Sequence, residues 1–370
     1  VNREVGKNHR SEDMLKSIRR FGNNLREHVP KIRCALNSLF FYYYFLKNPK
    51  RPCSDLLEFN LYIETTNFCN YKCAMCEASN GMERKRGFMD FGLYKKVIDD
   101  AADIGIRNII PNVWGEPLLH PKFVEMVQYA KDKGFFVEFT TNGYLLDEAM
   151  GRKLLKTGVD SIIISFHGLT PEGYKRIHGV DGFHKVIGNV KAFCKMKREA
   201  GLTVPKVAVH PIITNDNFKN VHKVFPIFNG IVDDIKILSC AFHPGSNTND
   251  LRLVRVPVQR RNPCIELFTT LAVSWDGKVG LCHRDREFKL MLGDAKEGLL
   301  KLFNSEKTRR YRRLHMFGQF DRMPVCAKCV DYNVDEDSIP STLRRKIING
   351  DLKNLSKNEI EFLESNGRCV

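Results

Sequence analysis

Nowhere in this 370-residue chain is there an apolar run long enough to cross a bilayer. The densest stretch, Leu39 to Leu46, reads LFFYYYFL and falls far short of the roughly 20 residues that a spanning helix needs. The opening VNREVGKNHRSEDMLKS lacks an apolar core followed by a small-residue cleavage site, so no secretory signal is legible and a cytoplasmic location is expected. Its first residue is Val, which leaves room for a segment upstream. Low-complexity tracts are missing, as are internal repeats. Hydrophobic residues at 43% and charged residues at 28% exclude a disordered or collagen-like chain. Acidic residues are in short supply, 43 against 59 Lys and Arg, which leaves a net charge of +16. A surplus of this size suggests an anionic partner. Part of it is local: residues 1–57 hold 12 Lys or Arg against 5 Asp or Glu, and residues 301–315 hold six against one. No RNP, zinc-finger or helix-turn-helix pattern accompanies the charge, so nucleic acid is not the expected partner.

Cysteine, by contrast, is plentiful. Twelve in a chain with no legible export signal point to metal or redox chemistry rather than disulfides. Seven fall into two groups: Cys69, Cys73 and Cys76, then Cys264, Cys282, Cys326 and Cys329. Of the scattered remainder, Cys34, Cys53 and Cys194 read as structural, Cys369 lies near the end, and Cys240 follows a strand.

From Leu56 to Ser239, β-rich apolar runs alternate with helical spacing, the pattern of repeated βα units and a parallel sheet. Strands are expected over Leu56–Thr65, Asn108–Val113, Phe135–Thr140, Ser161–Ser165, Lys206–Ile212 and Asp234–Leu238. Six units are too few for a closed eight-strand barrel, so the expected fold is a partial (β/α)6, TIM-like barrel over residues 56–240. Apolar residues recur at helical spacing at Phe91, Tyr94, Val97, Ile98 and Ala101, and again at Val124, Val127 and Ala130. Gly105, Gly134 and Gly158 stand where helices should end. Past the Pro/Gly/Asn-rich HPGSNTND, the stretch TTLAVSWDGKVGLC predicts a hairpin turning at Asp276-Gly277. It opens a smaller unit over residues 241–335, followed by a charged helical tail over residues 336–370. Residues 1–55 form a basic, aromatic-rich helical extension with six aromatics from Phe40 to Phe45. That segment suits an interfacial helix on an anionic membrane surface, or a helix packing its aromatics across the open side of the barrel.

Cys69, Cys73 and Cys76 form a Cys-x3-Cys-x2-Cys array directly after the first strand, on the barrel face that carries active sites. Three thiolates can hold three irons of a 4Fe-4S cube and leave the fourth open, whereas zinc would want a fourth ligand nearby, and none is obvious. Array and context resemble the radical S-adenosylmethionine (radical SAM) superfamily. Further matches are Gly115, Glu116 and Pro117 of a Gly-Gly-Glu-Pro-like stretch whose first Gly is Trp114 here, the strand end Thr140-Thr141-Asn142-Gly143, and Ser165-Phe166-His167-Gly168. The resemblance implies that Glu116 accepts a hydrogen bond from the methionine amine, that Thr141, Asn142 and Ser165 line the ribose and carboxylate pocket, and that Met75 lies against adenine. Taken singly, Glu116 also reads as a helix cap, Asn142 as a turn former and Ser165 as a strand-end hydroxyl.

Four thiolates at Cys264, Cys282, Cys326 and Cys329 suit zinc or a fully ligated cluster equally by spacing. The resemblance favours a cluster, because radical SAM enzymes with a SPASM or twitch extension carry such a Gly-x4-Cys hairpin followed by Cys-x2-Cys. Without further cysteines before Cys369, the unit looks like the shorter twitch type with one auxiliary 4Fe-4S cluster. The implied cofactors are therefore two 4Fe-4S clusters and S-adenosylmethionine. The implied activity is reductive cleavage of S-adenosylmethionine to a 5′-deoxyadenosyl radical. That radical then takes hydrogen from a polar small molecule, a carbohydrate or cyclitol and, given the basic surplus, an anionic form of one. Oxidation passes the second electron to the auxiliary cluster; epimerisation returns a hydrogen from a thiol, for which Cys240 is the candidate, although it also reads as a small core residue. An electron donor such as flavodoxin or ferredoxin is implied. The alternative is a SPASM-type maturase acting on a ribosomal peptide, and a third reading is a non-enzymatic zinc or nucleic-acid module. His167, His210 and Asn215 at the barrel mouth are candidates to orient substrate.

Overall fold

The computed structural model describes residues 59–79, 81–239, 263–329 and 341–365. The basic N-terminal extension, the connection after Ser239, and Cys34, Cys53, Cys240 and Cys369 lie outside the described residues.

Strands β1 (Asn60–Ile63), β2 (Asn108–Ile110), β3 (Phe136–Thr141), β4 (Ser161–Ser165), β5 (Lys206–His210) and β7 (Asp234–Ile235) lie side by side in chain order, all parallel. The fifth and sixth expected strands are each divided. Pro211 has no N–H to continue a ladder, so β5 stops before it, and β6 (Ile212–Ile213) pairs instead with β8 (Leu238–Ser239) in a separate two-stranded ladder. Helices α1 (Phe91–Asp103), α2 (Phe123–Asp132), α3 (Glu148–Thr157), α4 (Pro171–His178) and α5 (Phe183–Glu199) connect the parallel strands. Asp90, Asp147 and Thr170 start α1, α3 and α4 by accepting hydrogen bonds from first-turn N–H groups, and Gly105, Gly134 and Gly158 follow α1 to α3 with positive φ. Tyr94, Val97, Ile98 and Ala101 are buried as their spacing predicts, with Phe91 half-buried. On α2 the buried face is Phe123, Met126, Val127 and Ala130, and Val124 stays half-buried. The sheet meets this face directly: Phe123 packs edge-on against Phe139 of β3, ring centroids 4.9 Å apart.

The expected hairpin is present, but it is built into the barrel sheet. Strand β9 (Thr270–Val273) pairs in parallel with β1 from Asn60↔Thr270 to Ile63↔Val273, and β10 (Lys278–Gly280) and β11 (Met291–Asp294) continue antiparallel from it. The result is one nine-stranded sheet, β11-β10-β9-β1-β2-β3-β4-β5-β7. All four residues of β9 are buried, as the unbroken apolar run in TTLAV requires of a strand covered on both faces. After the short helices α6 (Val224–Phe228), α7 (Glu266–Thr269) and α8 (Leu299–Phe303), helix α9 (Glu306–Met316) carries the basic run; Arg309, Arg310 and Arg313 are exposed, while Arg312 is buried over the Phe303 ring and donates to the Leu267 carbonyl. Residues 341–365 of the tail carry two helices, α10 (Ser341–Asn349) and α11 (Lys357–Ser365), anchored by buried Leu343, Ile347 and Leu363. Among the described residues no helix is long and apolar enough to cross a membrane.

Replacing Phe139 with Ala removes the aromatic that joins β3 to α2 and should cost about 3–5 kcal/mol of stability. Denaturant unfolding measures this; a loss below about 1 kcal/mol would contradict the packing described.

Candidate active site

Cys69, Cys73 and Cys76 stand on the loop between β1 and α1, and that loop is fastened at several points. Lys72 and Ala74 donate their N–H groups to the carbonyls of His178 and Ile177 at 3.2 and 2.8 Å, the otherwise unsatisfied last carbonyls of α4. Gly179 ends the helix at φ +71°, and a Cβ there would lie 2.8 Å from the Lys72 carbonyl oxygen. On its other side the loop meets the Gly-Glu-Pro stretch. Gly115 has φ +88°, and a Cβ would come within 2.6 Å of the carbonyl oxygens of Thr66 and Phe68, so no other residue fits. The Glu116 N–H then donates to the Phe68 carbonyl at 2.8 Å. Asn70, between the first two cysteines, accepts from the Asn142 amide at 2.8 Å, which ties the loop to the end of β3.

These contacts close a cavity of about 260 Å³ whose wall includes the three cysteines, Met75, Gly115, Glu116, Thr141, Asn142 and Ser165. His167 shares the wall; His210 and Asn215 are not on it, and Pro117 starts the 3-10 turn beside it. Trp114, in the place of the first Gly of the resemblance, is buried on the same wall. Glu116 is itself buried and accepts from Thr141 Oγ1 at 2.7 Å, the Asn142 N–H at 2.8 Å and the Leu118 N–H at 3.1 Å. It therefore caps a turn and braces the end of β3 at once. Burial pushes its carboxyl up to about 7, against the lowering effect of the three donors. All three donors are neutral. A cation entering the cavity would draw this group back to its ionised form.

None of the three cysteines is in a disulfide. Burial pushes Cys69 up to about 11 and raises Cys73 further, so both stay protonated at neutral pH until a metal displaces the proton. Among the described residues no three ligating side chains converge tightly enough for a single ion. A 4Fe-4S cube does not ask for that convergence, since each thiolate sits on its own iron, and three thiols on one cavity wall fit it.

The second set is assembled from separated elements. Cys264 precedes α7 (Glu266–Thr269), Cys282 follows β10, and Cys326 and Cys329 bracket a 3-10 turn in which the Cys329 N–H donates to the Cys326 carbonyl at 3.1 Å. Burial raises the thiols of Cys264 and Cys282. Neighbouring acidic groups raise them further, among them Cys326 and Cys329 for Cys264, and Cys264 for Cys282. The Cys264 N–H donates to His315 Nδ1 at 3.1 Å. Cys264 lies within electrostatic reach of the other three, and four thiols so placed suit a fully ligated cluster, each on its own iron, better than a single zinc ion.

A polar network absent from the sequence reading joins the two sets. Arg286, four residues past Cys282, donates to the Glu77 carbonyl at 3.2 Å, next to Cys76. Glu287 accepts from the N–H groups of Glu83 and Arg84 at 3.1 Å each, and Arg84 forms a bidentate pair with buried Glu64 just past β1. Asn70, His178 and this network carry no local motif; only their three-dimensional placement identifies them.

Residues 63–225 match the radical SAM superfamily, and residues 264–330 match SPASM, an iron-sulfur cluster-binding domain. The chain is 27% identical over 254 residues to the tungsten-containing aldehyde ferredoxin oxidoreductase cofactor-modifying protein of Pyrococcus furiosus, covering 60% of this chain and 70% of that one. It spans about half the length of several other curated relatives that it matches. Among solved structures it resembles BtrN in complex with AdoMet and 2-DOIA, with a TM-score of 0.52 at 20% identity over 76% of this chain and 97% of that one. It also resembles Streptococcus suis SuiB bound to the precursor peptide SuiA, with a TM-score of 0.57 at 12% identity over 90% and 85%. At these identities the structural likeness establishes the fold.

Because the Glu116 carboxyl is raised to about 7, the folded metal-free chain holds its proton more tightly than the unfolded chain. Its contribution is therefore full below the usual carboxylate range and lost as pH rises through 7. Urea unfolding of wild type and Glu116→Gln should show the wild type losing stability relative to the variant between pH 5 and 8. A difference independent of pH would contradict the burial of an uncompensated carboxyl.

Proposed function

This chain is a radical SAM enzyme with a C-terminal SPASM domain, and from that premise we propose that it oxidises a polar small molecule, a carbohydrate or cyclitol, at a carbinol carbon. When bound, the clusters and S-adenosylmethionine supply one-electron cleavage of the sulfonium, hydrogen abstraction by the resulting 5′-deoxyadenosyl radical, and a sink for the second substrate electron. Cys69, Cys73 and Cys76 would hold the cluster that stays open at one iron. Glu116, braced by Thr141 and Asn142, would accept a hydrogen bond from the methionine amine. Met75 and Ser165 would bound the adenosyl moiety, and His167 would face the substrate. The observation that carries the oxidative reading is the second thiol set: Cys264, Cys282, Cys326 and Cys329 give every iron that needs one a protein ligand, and a cluster so held takes electrons rather than substrate.

The exposed arginines of α9, close in sequence to Cys326, support docking of an acidic one-electron carrier such as flavodoxin or ferredoxin. The +16 charge supports an anionic substrate. A peptide is the second reading, because a chain of this fold, SuiB, has been seen with its precursor peptide.

Anaerobic turnover with carbinol-deuterated cyclitols and sugars, free and phosphorylated, should place deuterium in 5′-deoxyadenosine and yield the ketone. If no polyol transfers deuterium while a peptide does, the reading is overturned. Under dehydrogenation, Cys240→Ala keeps the product; product lost with 5′-deoxyadenosine still formed would make Cys240 the hydrogen donor and the reaction an epimerisation.

A further inference from the structure

His178 ends α4 and is about as buried as any polar residue of the fold, at 1% exposure. Both ring nitrogens are engaged. Nε2 faces the His167 N–H at 3.2 Å, and a backbone N–H can only donate, so Nε2 carries no hydrogen. The neutral ring must then bear its proton on Nδ1, which lies 3.3 Å from the Cys73 sulfur. The geometry thus leaves one assignment, an Nδ1–H donated to the Cys73 sulfur.

The ring is held in that orientation from several sides. Tyr174 packs at 4.2 Å between centroids, His167 stacks at 5.1 Å and 13°, and Tyr71 stands edge-on at 5.5 Å. The Tyr71 and Tyr174 hydroxyls are themselves linked at 3.0 Å. The backbone of the same residue takes the Lys72 N–H. One residue therefore fixes both the path of the cysteine loop and the charge environment of its central sulfur.

We propose that His178 is a positioning residue for the first cluster: its Nδ1–H donates to the Cys73 sulfur and raises the reduction potential of the cluster held by Cys69, Cys73 and Cys76. A hydrogen bond to a ligating sulfur favours the more negative, reduced state, and such bonds are among the levers that set cluster potentials. The inference rests on those three cysteines being cluster ligands.

The test is an EPR-monitored redox titration of the anaerobically reconstituted full chain, following the signal that changes when S-adenosylmethionine is added. In His178→Phe the donor is gone, and the reduction equilibrium should fall about tenfold, or about 59 mV for one electron. His178→Asn places an amide nitrogen where Nδ1 stood and should recover most of that shift. Equal potentials in all three proteins at equal iron content, or the same displacement in both variants, would overturn the proposal. As a measurement that needs no variant, wild type grown with 15N-histidine should show a weak 15N hyperfine coupling to the reduced cluster, and its absence would overturn the proposal as well. A wild-type chain that takes up no iron at this loop would overturn the cluster reading and this one together; full iron with an unmoved potential would overturn only the role of His178.

Discussion

Strand β1 is hydrogen-bonded in parallel on both sides, to β2 along Asn60–Tyr62 and to β9 along Asn60–Ile63. Both cysteine sets take their places from that double pairing. The first loop leaves the C-terminal end of β1, where Glu64 continues the ladder by donating its N–H to the Val273 carbonyl at 2.8 Å. The second set begins beside it, because β9 leads through the hairpin to Cys282. Tyr62 of β1 stacks on His283, the next residue, at 4.2 Å and 15°. Sliding β1 by one residue would reverse its side chains, turn Leu61 and Ile63 out of the face where they are fully buried, and break the Tyr62–His283 stack.

Around this strand the polar groups serve register more than stability. The Arg84–Glu64 pair is buried, with contacts of 2.6 and 2.9 Å, and a buried ion pair gains little over apolar packing once desolvation is counted. Its value lies in what it joins: Arg84 also donates to the Arg286 carbonyl and receives Glu287 at its N–H. The loop that carries Cys76 and the loop that follows Cys282 are thus locked to one strand end. Within the cavity the same logic applies to Glu116, whose neutral partners hold it in place without neutralising it. A buried carboxyl so placed, next to Cys69 and Cys73, whose thiols burial holds protonated until a metal displaces the proton, describes a pocket completed by cationic ligands.

Much of this was legible in the sequence, and the limits have physical causes. The six βα units were readable because apolar periodicity and Gly ends are local signals, whereas the strand ends differ by one to three residues: β1 ends at Ile63 rather than Thr65, β2 stops at Ile110 before Pro111, β3 is displaced by one residue, and the fifth and sixth strands are divided, the fifth at Pro211. The first cysteine loop, Glu116, Asn142 and Ser165 were readable because they recur in fixed order at strand ends. The hairpin was legible as a hairpin, yet not as a continuation of the barrel sheet, since pairing partners 210 residues apart leave no mark on either segment (Asn60↔Thr270). His178 was invisible for a related reason. It sits 105 positions from Cys73, in a helix with no motif, and becomes chemically meaningful only where the end of α4 meets the loop. The expected amine contact of Glu116 was a role inferred one residue at a time; the structure adds that the same carboxylate caps a turn and braces the end of β3.

The central claim is that this fold places two distinct thiol sets for two iron-sulfur clusters. Iron, sulfide and zinc content of the anaerobically prepared chain, beside the triple variant Cys69→Ala, Cys73→Ala, Cys76→Ala, tests it most directly. The account predicts about eight irons falling to about four, with sulfide in step and no zinc. About four irons falling to none, with one zinc retained in both proteins, would contradict it and make the second set a structural zinc site.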